Sequence, residues 1–160
     1  MPIRYTSDAI QALVAEPKHV APGTFSSISW LDRAGHKRAG IDVEGDSGSL
    51  FAVKLRKNRV NPLDFSVILG VMVPNTNVLF RLRRYNGKHW HRNKIEGVRF
   101  RDFHIHTATE RYQEGGFKED AFAQPTERYA SFRSALRCRI EDCGFYSDAS
   151  AQGSLFGTLL

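Results

Sequence analysis

The sequence predicts an α+β fold: a twisted antiparallel β-sheet meander of about six strands, with helices packed on one face. Three observations predict it. Between Phe25 and Tyr85 many apolar residues recur at alternate positions, the period of a strand with one buried face. Turn formers such as Ala34-Gly35, Gly45-Asp46-Ser47-Gly48 and Pro74-Asn75-Thr76-Asn77 punctuate that stretch at the short intervals of hairpins. The 3.6-residue period of an amphipathic helix is confined to a stretch near each end of the chain.

In order, Thr6 or Ser7 caps a first helix, with Asp8 in its first turn and Ile10, Leu13 and Val14 on its apolar face. Pro17 ends it, and Pro22-Gly23 turns the chain. Phe25, Ile28, Trp30 and Leu31 read as a first strand, and Ala34-Gly35-His36-Lys37 as a hairpin turn. Ile41 and Val43 mark a second strand, and Leu50, Phe51, Val53 and Leu55 a third. Asn61-Pro62 breaks the chain before residues 65–73, which are nearly all apolar and are expected at the sheet centre. Residues 78–85 alternate, with Phe80 and Leu82 facing the core. Asn86-Gly87 opens a loop, and residues 100–107 form the sixth strand. Thr107 or Thr109 caps a short helix that Gly115-Gly116 stops. From about Thr126, the residues Tyr129, Phe132, Leu136, Ile140 and Cys143 step by three and four, one face of a helix of about 17 residues. Arg128, Arg133, Arg137 and Arg139 lie off that face and read as solvated. Residues 1–145 are expected to form one domain, and 146–160 a tail that is flexible or meets a partner.

No apolar run approaches the roughly 20 residues of a membrane-spanning helix, and the first residues lack a signal-peptide pattern. The expected compartment is the cytoplasm, with no membrane partner. Cys138 and Cys143 lie about 140° apart around a helix, which suits two reduced thiols. The net charge of +6 is localised. Residues 78–112 hold nine Lys or Arg against three acids, whereas the other 125 residues hold fourteen of each. Four of the six histidines lie in the same segment. Clustered positive charge of this kind suits a polyanion.

In a strand through Arg101-Asp102-Phe103-His104-Ile105-His106-Thr107, Phe103 and Ile105 point into the core. Asp102, His104 and His106 then form a row on the open face, about 7 Å apart. Three chemistries fit. In metal-free RNA cleavage, His104 and His106 exchange protons with the reacting oxygens, beside Asp102, while Arg81, Arg83 and Arg111 clamp phosphate. In a metal site, the pairs His89/His91 and His104/His106 supply imidazoles, with Asp102 as ligand or support. In a binding surface, Arg81, Arg83, Arg84, Lys88, His89, His91, Arg92, Lys94, Arg99 and Arg101 meet the backbone while Trp90 stacks a base. The reading carried forward is a metal-independent ribonuclease with no cofactor. A non-enzymatic binder of nucleic acid or nucleoprotein is the alternative.

The order of Phe80-Arg81-Leu82-Arg83-Arg84-Tyr85-Asn86, a His89/His91 loop and a strand bearing His104 and His106, then one helix, resembles the TumE-type toxins of prokaryotic toxin–antitoxin modules and related small families. The likeness spans roughly residues 28–145. The chain lacks the Pro-His-His-x-His run of those proteins and adds Thr107-Ala108-Thr109-Glu110-Arg111-Tyr112-Gln113. The resemblance implies a toxin that acts on RNA rather than DNA and is held by a cognate antitoxin.

Overall fold

In the computed structural model, which describes residues 3–148, the strand pattern closes into a seven-stranded, wholly antiparallel sheet. Helix α1 (Ser7–Ala15) leads through the two-residue strand β1 (Lys18–His19) into β2 (Leu31–Arg33), β3 (His36–Glu44), β4 (Leu50–Asn58), β5 (Phe65–Met72) and β6 (Leu79–Asn86). These last five strands lie side by side in chain order, a meander. The chain then leaves the sheet as a small hairpin, β7 (His91–Asn93) and β8 (Val98–Phe100), before β9 (His104–Thr107) pairs with β6. Helix α2 (Glu110–Glu114) leads to the edge strand β10 (Phe122–Pro125). Helix α3 (Phe132–Asp142) and β11 (Phe145–Tyr146) follow, and β11 pairs in parallel with β1. The chain is therefore α+β, with the apolar run of β5 at the centre of its sheet. Among the described residues no helix is long and apolar enough to cross a membrane.

Helices α1 and α3 cover one face. Their Ile10, Val14, Leu136 and Ile140 join Val53, Leu55, Phe65, Val67, Leu69, Leu82 and Tyr85 in a continuous apolar core. Thr6 caps α1 by accepting the Ala9 N–H, as its position before the periodic stretch predicts.

Three expectations need correction. The first long strand shrinks to Leu31–Arg33, because the hydroxyls of Thr24, Ser26 and Ser27 bond preceding carbonyls and hold 23–27 as turns. Phe25 is buried from such a turn. The last helix begins at Phe132, where Ser131 and Ser134 form a reciprocal cap, so Tyr129 precedes it despite its spacing. Arg139 is not solvated: it is 0% exposed, between the rings of Phe25 and Phe145. The proposed tail falls almost wholly in residues 149–160, outside the described part of the chain.

One irregularity positions the functional face. Leu69 pairs with Arg83 and Gly70 with Arg81, which leaves Leu82 as an extra residue in β6. The Leu82 carbonyl accepts the Ala108 N–H, so the bulge carries no orphaned group there. Arg81 and Arg84, three apart, consequently both reach Asp120, and Arg83 turns to the helix side, where it meets Asp142. The expectation that Arg81 and Arg83 stand together on the open face is corrected on this ground.

Candidate functional site

Residues directly opposite each other in an antiparallel pair share a face. Across the face away from the helices, one row therefore runs Arg38, Arg56, Ser66, Asn86, His104, Pro125. The next runs Gly40, Lys54, Ile68, Arg84, His106, Ala123. His104 and His106 lie at the β9 end of these rows, as the alternation of 101–107 predicts, and Phe103 and Ile105 pack toward the core.

That end of the face is not open. The β7–β8 hairpin folds over it, and His104 is 0% and His106 4% exposed. Asn93 docks the hairpin: its amide nitrogen donates to the Ala123 carbonyl at 2.8 Å, and its Oδ1 accepts the Ala123 N–H at 2.9 Å. The expectation of a displayed Asp-His-His row is thus corrected. The side chain of Asp102 is exposed, and only its backbone carbonyl serves the site. The hairpin brings the two histidine pairs together. Ring centroids lie 4.8 Å apart for His89–His104, 4.7 Å for His91–His106 and 5.0 Å for His104–His106, with Phe100 packed against His91 and His104.

Partner chemistry fixes the tautomers. His104 Nδ1 lies 2.8 Å from the Asp102 carbonyl, and His106 Nδ1 lies 2.7 Å from the Asp120 carbonyl. A carbonyl only accepts, so both Nδ1 atoms carry hydrogen and both Nε2 atoms carry lone pairs. His91 Nε2 lies 2.9 Å from Asn93 Oδ1, which the Ala123 N–H identifies as oxygen. His91 therefore carries hydrogen on Nε2 and a lone pair on Nδ1. His91, His104 and His106 bring one ring nitrogen each within 4.8 Å of one another. His104 Nε2 is buried with no hydrogen-bond partner, and so is His89 Nδ1.

The electrostatics favour the neutral forms of His89, His104 and His106. Burial above all pushes His104 down to about 4, with His89, His91 and Arg84 adding to it against the Asp102 carbonyl. Burial, then the Arg84 guanidinium, pushes His106 down to about 2. Burial likewise lowers His89. Arg84 is matched by Asp120, which is fully buried 2.9 Å away, and Arg81 Nε lies 3.5 Å from the same carboxylate.

The predicted cations divide into two groups. Arg81, Arg83 and Arg84 are ion-paired inside the fold, to Glu119 and Asp120, Asp142, and Asp120 respectively. Arg111 is not gathered with the histidines: it pairs with Glu96 and lies over Tyr112 and Phe122, tying α2 to the turn of the hairpin. Lys88, Arg92, Lys94, Arg99 and Arg101 are exposed, and none makes an ion pair among the described residues. Trp90 is 58% exposed, with the Arg99 guanidinium 4.2 Å from its ring. Beside it, a cavity of about 410 Å³ is lined by Arg56, Asp64, Lys88, His89, Trp90 and Arg101.

Sequence reasoning finds the four histidines through their His-x-His spacing. It misses Asn93, Phe100, Asp120 and Tyr129, which hold them. Tyr129 donates its hydroxyl toward the carbonyls of Asn86 and His104, at 2.8 and 2.9 Å, and so braces the β6–β9 seam from the core side. These residues carry no motif, since their role comes from contacts across the sheet. Comparison with family models, with curated proteins and with solved structures returns no match, so what this site does must be argued from its own geometry.

Proposed function

We propose that this protein binds RNA along the surface of the β7–β8 hairpin and the adjoining open rows of the sheet. The observation that carries the reading is the set of five exposed cations without acidic partners among the described residues, Lys88, Arg92, Lys94, Arg99 and Arg101, around an exposed Trp90. An unpaired cation on the surface is available to phosphate, and an exposed indole offers a face for a base. Arg56, in the cavity beside Trp90, is matched by Asp64 at 2.8 Å, whereas the exposed sheet residues Arg38 and Lys54 extend the cationic track. The choice of RNA follows the TumE likeness.

Acid–base cleavage by His104 and His106 has weaker support. A general acid must hold a proton near neutral pH and reach the leaving oxygen, whereas both rings are buried and favour the neutral form.

The test is fluorescence anisotropy with a labelled single-stranded RNA of mixed sequence, titrated with salt. Binding should weaken as salt rises, by a log–log slope of about −0.7 for each phosphate engaged. Arg92→Glu with Arg99→Glu and Arg101→Glu should weaken it at least about tenfold, and Trp90→Ala should cost about 1–3 kcal/mol. Tighter binding to DNA of the same sequence would overturn the choice of RNA. Affinity insensitive to both salt and charge reversal would overturn the surface.

A further inference from the structure

We infer that His91, His104 and His106 form a binding site for a divalent late first-row transition-metal ion, of which Zn²⁺ is the natural probe. Each ring commits one nitrogen, as donor, to a fixed oxygen: the Asp102 carbonyl, the Asp120 carbonyl or Asn93 Oδ1. The remaining nitrogens, His91 Nδ1, His104 Nε2 and His106 Nε2, are three acceptors on one half-buried and two buried side chains, and among the described residues His104 Nε2 has no hydrogen-bond partner.

Three candidates could satisfy them. A water molecule has two hydrogens for three lone pairs and leaves one acceptor bare. A proton shared between two rings bridges two of the lone pairs and leaves the third bare. A metal ion takes all three at once, and neutral imidazole is the form it binds. Histidine ligation at about 2.0–2.1 Å asks for nitrogens roughly 3.3 Å apart, so the present spacing of within 4.8 Å needs side-chain movements of about an ångström.

The surroundings have the features of a built site. An outer hydrogen bond to each ring sets its tautomer and orientation, as in known histidine metal centres. Asp120, fully buried, offsets the charge of Arg84. Two ligands come from strand β9 and the third from the hairpin, so the ion would clip the hairpin to the sheet. His89, edging His104 with an unpartnered Nδ1, stands between the cluster and the cavity it lines. The inference is independent of RNA binding.

The experiment uses the full chain, stripped with a chelator, loaded with Zn²⁺, desalted and analysed for metal. One ion per chain is expected. His91→Gln, on a half-buried side chain that the core does not depend on, should weaken Zn²⁺ binding by about 100-fold or more, at least the upper end of what losing an outer partner costs. His104→Gln and His106→Gln should do the same where they fold, and His19→Gln and His36→Gln should leave the content unchanged. Co²⁺ loaded in place of Zn²⁺ should show ligand-field bands without thiolate charge transfer. Wild-type protein that retains no Zn²⁺, a His91→Gln protein that binds as tightly as wild type, or a thiolate band that places the ion on Cys138 or Cys143 would each overturn the assignment.

Discussion

Two cations, both 0% exposed, show how far a residue's fate depends on the acceptors around it. The Lys18 ammonium lies within 3.0 Å of four backbone carbonyls, those of Leu13, Val14, Glu16 and Cys143, and closes the C-terminal ends of α1 and α3. The Arg139 guanidinium has aromatic faces and, among the described residues, no hydrogen-bond partner. Replacement by Met should act in opposite senses. Lys18→Met strands several carbonyls and should destabilise the fold by about 2–3 kcal/mol. Arg139→Met removes a buried charge without acceptors and should stabilise it by about 1–2 kcal/mol. Urea unfolding at pH 7 reads both; a loss of stability in Arg139→Met would mean that its ring contacts outweigh its desolvation. Lys18 also carries a pH signature. Burial lowers it from 10.5 to about 8, so between these values the unfolded chain holds a proton that the folded chain has released. Stability from this group therefore rises with pH across about 8 to 10.5 and is flat below. The rise should vanish in Lys18→Met.

The β7–β8 hairpin is the least anchored element that the site needs. Its hydrogen-bonded ties to the rest of the sheet run through the Asn93 amide and the Ala123 backbone, while Glu96 in its turn meets Arg111 and Tyr112 of α2. Asn93→Ala should release the hairpin by about 1–3 kcal/mol, read as faster amide exchange in β7 and β8 with β3–β5 unchanged. Uniformly accelerated exchange across the sheet would instead make the hairpin part of the global folding unit. This element was also the least legible in the sequence. Apolar alternation announces β3, β4 and β6, and a continuous apolar run announces β5. A three-residue strand such as β7, with burial set by partners 30 positions away, leaves no periodic trace. Phe122-Ala123-Gln124-Pro125 stayed hidden as an edge strand for the same reason.

At the scale of the molecule, the sequence separates its two faces well and their coverings poorly. Alternation correctly assigned Phe103 and Ile105 to the core and His104 and His106 to the opposite face. It could not show that the opposite face is roofed at one end, because a roof is tertiary contact and not local period. Net charge had a similar limit. Nine basic residues in one segment look alike in a count, yet Arg81, Arg83, Arg84 and Arg111 are neutralised by acids at 96, 119, 120 and 142, several of them outside it. The surface available to a polyanion is therefore smaller than the charge suggests. Lys88→Glu should accordingly lower RNA affinity, whereas Arg83→Gln should chiefly lower stability through Asp142. Anisotropy and melting curves on the same two proteins separate these outcomes.

The extra residue at Leu82 has a consequence for what this chain can tolerate. Up to that point β6 keeps one parity, and beyond it the opposite parity, so the strand contains a built-in phase slip. Excising Leu82 would make the pairs Gly70–Arg81 and Leu69–Arg83 consecutive, so the alternation would become unbroken with every flanking side chain on its present face. Arg84 would stay beside Asp120 and Phe80 in the core. The loss would be one core side chain and the carbonyl that receives the Ala108 N–H, so a one-codon deletion of Leu82 is a shortening that the register of β6 can absorb.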